Sequence, residues 1–200
     1  MRRRGAVLLS VDPFSIRYRK SAKQWPWYLK RWPWWVCGGG WDLGGVDRPL
    51  PREQQMRELL EGRPITENSH YHAMLEELAR NGRTASPRLY TRAEIDDYFR
   101  SLLTLIERIR SEGYQSQAEI GGPMKHEITV RIDRYGQLIK CREGTHRLAI
   151  TRLLGLRWVP ITVDLVHSVW FKACLERWEG DPRTAIMCEL EQMGEVIRGV

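Results

Sequence analysis

The sequence predicts an α+β chain, and three stretches carry that prediction. Two short β-branched runs flank Tyr135-Gly136 in the manner of a hairpin. A polar turn holding Gly144 comes next, and an apolar-periodic segment with Leu148, Ile150, Leu153 and Leu154 closes at Gly155, a glycine stop typical of helix ends. Upstream, Thr91-Arg92-Ala93-Glu94 spells a capping box. The helix it opens carries Ile95, Tyr98, Phe99, Leu102, Ile106 and Ile109 at helical spacing and is expected to pack on the sheet.

The remaining elements rest on local chemistry. Residues 1–24 read as a basic, weakly structured arm. Trp25-Pro26-Trp27 recurs seven residues later as Trp32-Pro33-Trp34, and proline in both units argues against a regular helix or a central strand. These aromatics suit three jobs: covering the core, stacking on bases, or lying at a bilayer interface. Core cover is the leading reading, because tryptophan buries the largest area per residue. Pro51 to Leu60 and Thr66 to Arg80 are helix candidates, ended by Gly62 and Asn81-Gly82. His70 and His72, two apart on a helix, point in different directions and make a poor metal pair. Gln115 to Lys125 is a polar loop. Asp181-Pro182 reads as an N-cap with proline at the first helical position, and the helix it opens is expected to bury Ile186, Leu190, Met193 and Ile197.

Composition narrows the partners. Two hundred residues suit one domain with an appended subdomain. The formal charge of +7 is concentrated: Met1 to Arg31 holds a single acid, Asp12. A basic, aromatic segment fits nucleic acid or an anionic surface, or serves only as a solubilising arm. Cys37, Cys141, Cys174 and Cys188 lack C-x-x-C spacing and read as reduced thiols of a cytoplasmic protein. Cys141 and Cys174, among apolar neighbours, read as core. Ala6 to Val11 is too short for a signal peptide, and no apolar stretch reaches membrane-spanning length.

Gly-Thr-His-Arg-Leu-Ala at 144–149, then Leu-Gly-Leu and Val159-Pro160-Ile161-Thr162-Val163, resembles the ParB/sulfiredoxin-like domain. Ile106 to Tyr114 and Glu127-Ile128-Thr129-Val130 resemble that domain's first helix, glycine-ended turn and first core strand. The likeness spans roughly Tyr98 to Val163, about a third of the chain. It implies a small mixed sheet with packed helices, a core at about 91–165 within a domain of residues 51–200, a Trp- and Gly-rich N-terminal extension over 1–50, and additional C-terminal helices. It also implies a nucleotide or phosphate at the turn. Members differ in the activity built on that site: nucleotide-gated DNA clamping, nuclease activity, sulfinic-acid reduction, or phosphorylation of free serine. The chain departs from the clamping members, which carry a Glu-Arg-Arg type run where Thr145-His146-Arg147 stands, and its 115–125 loop is longer than theirs. It departs from sulfiredoxins by placing Thr145 at their cysteine, which removes that thiol chemistry.

The candidate site residues are therefore Gly144, Thr145, His146 and Arg147 for the phosphate, with Glu143, His146 and Glu127 for chemistry. Arg147 is a permanently charged fork at a helix start, suited to an anion or to a neighbouring carboxylate. His146 suits phosphate binding, proton relay or a structural bond. Glu143 stands where kinase-like members show an acid and suits a base or a Mg2+ contact. Glu127 either faces the same pocket or is a solvent-facing acid at a strand edge. The expected cofactors are a nucleoside triphosphate or diphosphate (ATP, CTP or ADP) and Mg2+, with no dedicated protein metal cage. After Cys37, Gly38 to Gly45 holds five glycines in eight residues but lacks the Gly-Lys-Ser/Thr of a P-loop. Gly39, Trp41 and Asp42 resemble a Gly-Gly-x-Trp-Asp element of uncharacterised proteins carrying this domain; Asp42 suits a metal, a substrate amine or a turn. The leading reading is a Mg2+-dependent NTPase or small-molecule kinase. The alternatives are a DNA-binding or nuclease-type module using the basic arm, and a non-catalytic nucleotide sensor.

Overall fold

In the computed structural model, residues 7–20, 22–44, 46–47, 52–117, 119–123, 126–141 and 143–197 are described. The chain is α+β and divides into two compact units, one of residues 1–49 with 115–200, the other of residues 50–114.

The first unit is built on one mixed sheet of eight strands: β1 (Val7–Val11), β2 (Tyr18–Arg19), β3 (Val36–Cys37), β4 (Val46–Asp47), β5 (Thr129–Ile132), β6 (Leu138–Lys140), β7 (Val159–His167) and β8 (Glu195–Ile197). Their order is β4-β2-β6-β5-β7-β1-β8, with β3 pairing the end of β7. β7 is the central strand. It is a near-continuous apolar run with all but Asp164 buried, the pattern of a strand covered on both faces. It pairs antiparallel with β1 and parallel with β5. The sheet takes four of its strands from the first 50 residues, so this stretch is structural core rather than an appended extension. The expected weak structure of residues 1–24 fails for the same reason: Val7 to Val11 pairs along its whole length with β7, and Leu9 and Val11 are fully buried. The rest of that arm's basic start, residues 1–6, lies outside the described residues.

Three helices complete this unit: α4 (Thr145–Leu153), α5 (Ser168–Arg177) and α6 (Pro182–Met193). Asp181 caps α6 as expected, accepting from the amides of Arg183 and Thr184. The helix stops four residues early, at Met193. Gly194 comes next in extended backbone, where an added Cβ would lie 2.2 Å from the Ser10 carbonyl. The chain passes against the Ser10 backbone there and enters β8, so Ile197 belongs to a strand beside β1 and not to the helix.

The second unit is helical: α1 (Glu53–Leu60), α2 (Ser69–Asn81) and α3 (Arg92–Glu112). Thr91 and Glu94 form the capping box in both directions. α3 buries Ile95, Phe99, Leu102, Ile106 and Ile109, and within the unit it packs on α2, where Tyr71 meets Phe99 edge to face at 5.3 Å. α2 starts later than the sequence suggested, because Asn68, not Thr66, supplies the cap, accepting from His70 and Tyr71 amides. His70 is half-buried beside the Arg52 guanidinium and His72 is exposed.

Candidate functional site

The turn between β6 and α4 begins with Glu143 exposed, followed by Gly144, Thr145, His146 and Arg147, all half-buried. Gly144 is the N-cap, in left-handed backbone at φ 69°, and no side chain caps the helix. The helix's own ladder starts one turn in, with the Leu148 amide donating to the Gly144 carbonyl at 3.0 Å. The amides of residues 145–147 thus form the positive end of α4. Gly144 lies directly on the backbone of the preceding loop: a Cβ there would stand 2.6 Å from Ile128 Cα and 2.7 Å from the Glu127 carbonyl oxygen.

Beneath the turn sits Lys140, 2 % exposed. Its Nζ donates to the Cys141 carbonyl at 2.7 Å and to the Glu143 carbonyl. These bonds hold two carbonyls inward, under the bend. Burial lowers the Lys140 pKa to about 8, while it pushes the neighbouring Cys141 thiol up to about 11. The sign of the linkage is then set. Between about pH 8 and 9 the unfolded chain still holds the Lys140 proton that the folded chain has released, so stability rises with pH. Above about pH 9 the unfolded cysteines ionise while buried Cys141, and Cys174, pushed up to about 12, stay protonated; stability falls again. Urea unfolding across pH 7.5 to 10.5 is expected to show a shallow maximum near pH 9, about 0.3 kcal/mol above pH 8. The Lys140→Met variant is expected to lack the rise.

Arg147 is held from one side by the loop over residues 115–127. With the Gln117 amide set with its oxygen toward the guanidinium, Nη1 and Nη2 donate to it at 3.2 and 3.0 Å. The Gln117 backbone N–H donates to Glu127 Oε2 at 2.7 Å, and the Ile128 backbone N–H donates to Glu127 Oε1 at 3.1 Å. Glu127 is fully buried and precedes β5, which begins at Thr129. It is therefore not a strand-edge acid facing water. Both its oxygens take backbone amides, and through Gln117 it positions Arg147. Glu143, His146 and Arg147 do share the one turn with Gly144 and Thr145. Among the described residues no cluster of three or more His, Cys, Asp or Glu side chains could hold a metal ion.

The Gly-rich element makes a second polar cluster. Arg134 embraces the buried Asp42 carboxylate, with Nε 2.7 Å from Oδ2 and Nη2 2.8 Å from Oδ1, and the Arg134 amide adds a third bond at 3.1 Å. His167 Nδ1 accepts from the Val169 amide, so its proton is on Nε2, which donates to the Gly39 carbonyl at 2.8 Å. Burial works against the Asp42 charge, but the Arg134 side-chain and backbone bonds outweigh it and hold the carboxyl below its usual range. An aspartate spent this way pins a loop rather than holding a metal or a substrate amine. The tryptophans divide: Trp35 and Trp41 are fully buried, whereas Trp27 and Trp34 are 75 % and 49 % exposed. Core cover therefore accounts for only some of them.

Sequence reasoning missed Lys140, Gln117, Arg134 and His167. Lys140 did leave a signal, a lysine inside the apolar run Leu138-Ile139-Lys140-Cys141. Gln117, Arg134 and His167 left none, because their roles come from partners distant in the chain. Clefts of about 420 and 350 Å3 lie along α2 in the second unit, and one of about 300 Å3 beside β2 and β6 in the first; none of the residues lining these belongs to the turn. The four cysteines are free thiols. No helix among the described residues is long and apolar enough to cross a membrane. No family model, no curated protein and no solved structure matches the chain.

Proposed function

We propose that the protein binds a nucleotide through its phosphates at the Gly144–Arg147 turn, in the manner of ParB/sulfiredoxin-like proteins, and acts as a Mg2+-dependent NTPase or small-molecule kinase. The observation that carries this reading is the start of α4. A helix of nine residues opens without a side-chain cap at a left-handed glycine, with Arg147 in its first turn and the Lys140 ammonium directly below. Helix-end amides, a guanidinium and a buried cation together favour a multiply charged anion. In the transfer step Glu143, exposed at the turn, takes the proton of an attacking hydroxyl or water. The new oxygen–phosphorus bond forms as the bond to the leaving nucleoside diphosphate breaks, and Arg147 neutralises charge on the phosphoryl oxygens; Mg2+ carried in with the phosphates would add further positive charge there.

The test is thermal unfolding of the full chain with ATP, CTP, GTP and ADP, with and without Mg2+. One nucleotide is expected to raise Tm by about 5–10 °C at roughly a hundredfold excess over Kd. Arg147→Ala is expected to lose that shift. Glu143→Ala is expected to keep the shift and lose turnover; a Glu143→Ala protein that still turns over sinks the base assignment and leaves binding intact. A wild-type protein unmoved by every nucleotide removes both the enzyme reading and the sensor reading.

A further inference from the structure

The Trp-Pro-Trp repeat does the same thing twice. In each unit the first tryptophan, Trp25 or Trp32, packs inward against the cluster of Leu29, Cys37, Trp41 and Leu165. In each unit the second is the more open ring, Trp27 largely exposed and Trp34 by half. The backbone between is anchored. Leu29 and Trp35 are buried, Trp32 Nε1 donates to the Val36 carbonyl at 3.0 Å, and Trp35 Nε1 donates to the Val163 carbonyl on β7 at 2.9 Å. Trp27 is braced further by Tyr28 in a T-shaped contact with centroids 6.4 Å apart. The outward rings are thus held out by a fixed scaffold. Rings left open at equivalent places in a repeat forgo a large part of the 150–250 Å2 of burial that a tryptophan offers.

The charge around the two rings says what covers them. Exposed Lys30 and Arg31 lie between them, exposed Lys23 precedes them, and no acid occurs from residue 13 to residue 41. We propose that Trp27 and Trp34, with Lys23, Lys30 and Arg31, form a binding surface for single-stranded nucleic acid, separate from the Gly144–Arg147 turn. Aromatic faces stack on unpaired bases, and the cations between them meet the phosphates that link those bases. A stacked base needs an open face, so paired duplex is a poor occupant. An anionic bilayer is also disfavoured. Interfacial segments bury a continuous apolar face of an amphipathic helix, whereas here the rings are interrupted by two cations and the segment holds only 3-10 turns of three and four residues.

The test is fluorescence anisotropy of a labelled oligothymidylate of about 20 nucleotides with the full chain, titrated at several salt concentrations from about 50 mM. Wild-type protein is expected to bind the single strand in preference to the matching duplex. Trp27→Ala and Trp34→Ala are each expected to weaken binding about tenfold, and Trp27→Phe to restore most of it. Lys30→Gln with Arg31→Gln is expected to flatten the dependence of log affinity on log salt by about 0.7 per charge removed. Thermal unfolding is expected to match wild type for Trp27→Ala and for Lys30→Gln with Arg31→Gln, and to fall for Trp34→Ala, whose ring is half covered, so each affinity is measured well below the variant's own Tm. Arg147→Ala is expected to leave the oligonucleotide affinity unchanged, so this surface and the nucleotide turn stand or fall separately. The proposal is overturned by no binding to the single strand at the lowest salt, by equal affinity in the double tryptophan variant, by tighter binding to duplex, or by binding to phosphatidylserine vesicles that the oligonucleotide does not compete away.

Discussion

Gly144→Ala is expected to destabilise the first unit by about 2–5 kcal/mol. The left-handed backbone costs a residue with a Cβ about 1–2 kcal/mol, and overpacking adds a further 1–3 kcal/mol. The second contribution arises because the nearest atoms are backbone: Ile128 Cα at 2.6 Å and the Glu127 oxygen and Ile128 nitrogen at 2.7 Å. No side chain can swing aside there. Gly155, at the other end of α4, has nearly the same φ of 67° but open space around a Cβ. Gly155→Ala is therefore expected to cost only the backbone share, about 1–2 kcal/mol. Urea unfolding of the two variants separates the effects, and equal losses would show that the helix start is not pressed against the 127–128 backbone. In the proposed nucleotide site, Gly144→Ala also shifts the amides of residues 145–147, so binding is expected to fall even where the variant remains folded.

Asp42→Asn is expected to cost about 2–3 kcal/mol. Removing one partner of a buried ion pair costs about 3–5 kcal/mol, and here the Arg134 side chain is a quarter exposed, so solvent screens part of the loss. The same pair sets an acid dependence. Because the folded state holds the Asp42 carboxyl below its ordinary 3.8, the contribution is full above that value and disappears as pH falls through the lowered one. Acid unfolding of Asp42→Asn is expected to be shallower than that of wild type. An unchanged acid limb would mean that the Asp42–Arg134 pair does not hold the Gly-rich loop. Since Asp42 lies outside the Gly144–Arg147 turn, the surviving folded variant is expected to retain whatever nucleotide affinity the wild type has.

Local chemistry was readable where the cause lies within a few residues. Thr91 and Glu94 announce their capping box, Asp181-Pro182 its helix start, and Leu138 to Leu153 its strand, turn and helix. The failures occurred where a distant neighbour decides. Val7 to Val11 is a strand because β7 offers an unpaired edge more than 150 residues later, and nothing nearby in sequence marks that. Ile197 left its helical period where the chain passes against the Ser10 backbone at Gly194. Glu127 stood open between two readings and took a third, since the Gln117 and Ile128 amides meet it in the folded loop.

The sequence by itself determined the α+β class, the capped helices and the gathering of Glu143, Gly144, Thr145, His146 and Arg147 on one bend, because each depends on backbone preferences and spacings local to the chain. Only the tertiary structure decided that Lys140 lies under that bend, that Glu127 and Gln117 brace Arg147, that Arg134 claims Asp42, and which tryptophan of each repeat is the more open. Those outcomes rest on desolvation and on hydrogen bonds between residues far apart in sequence, and such terms exist only once the strands have paired.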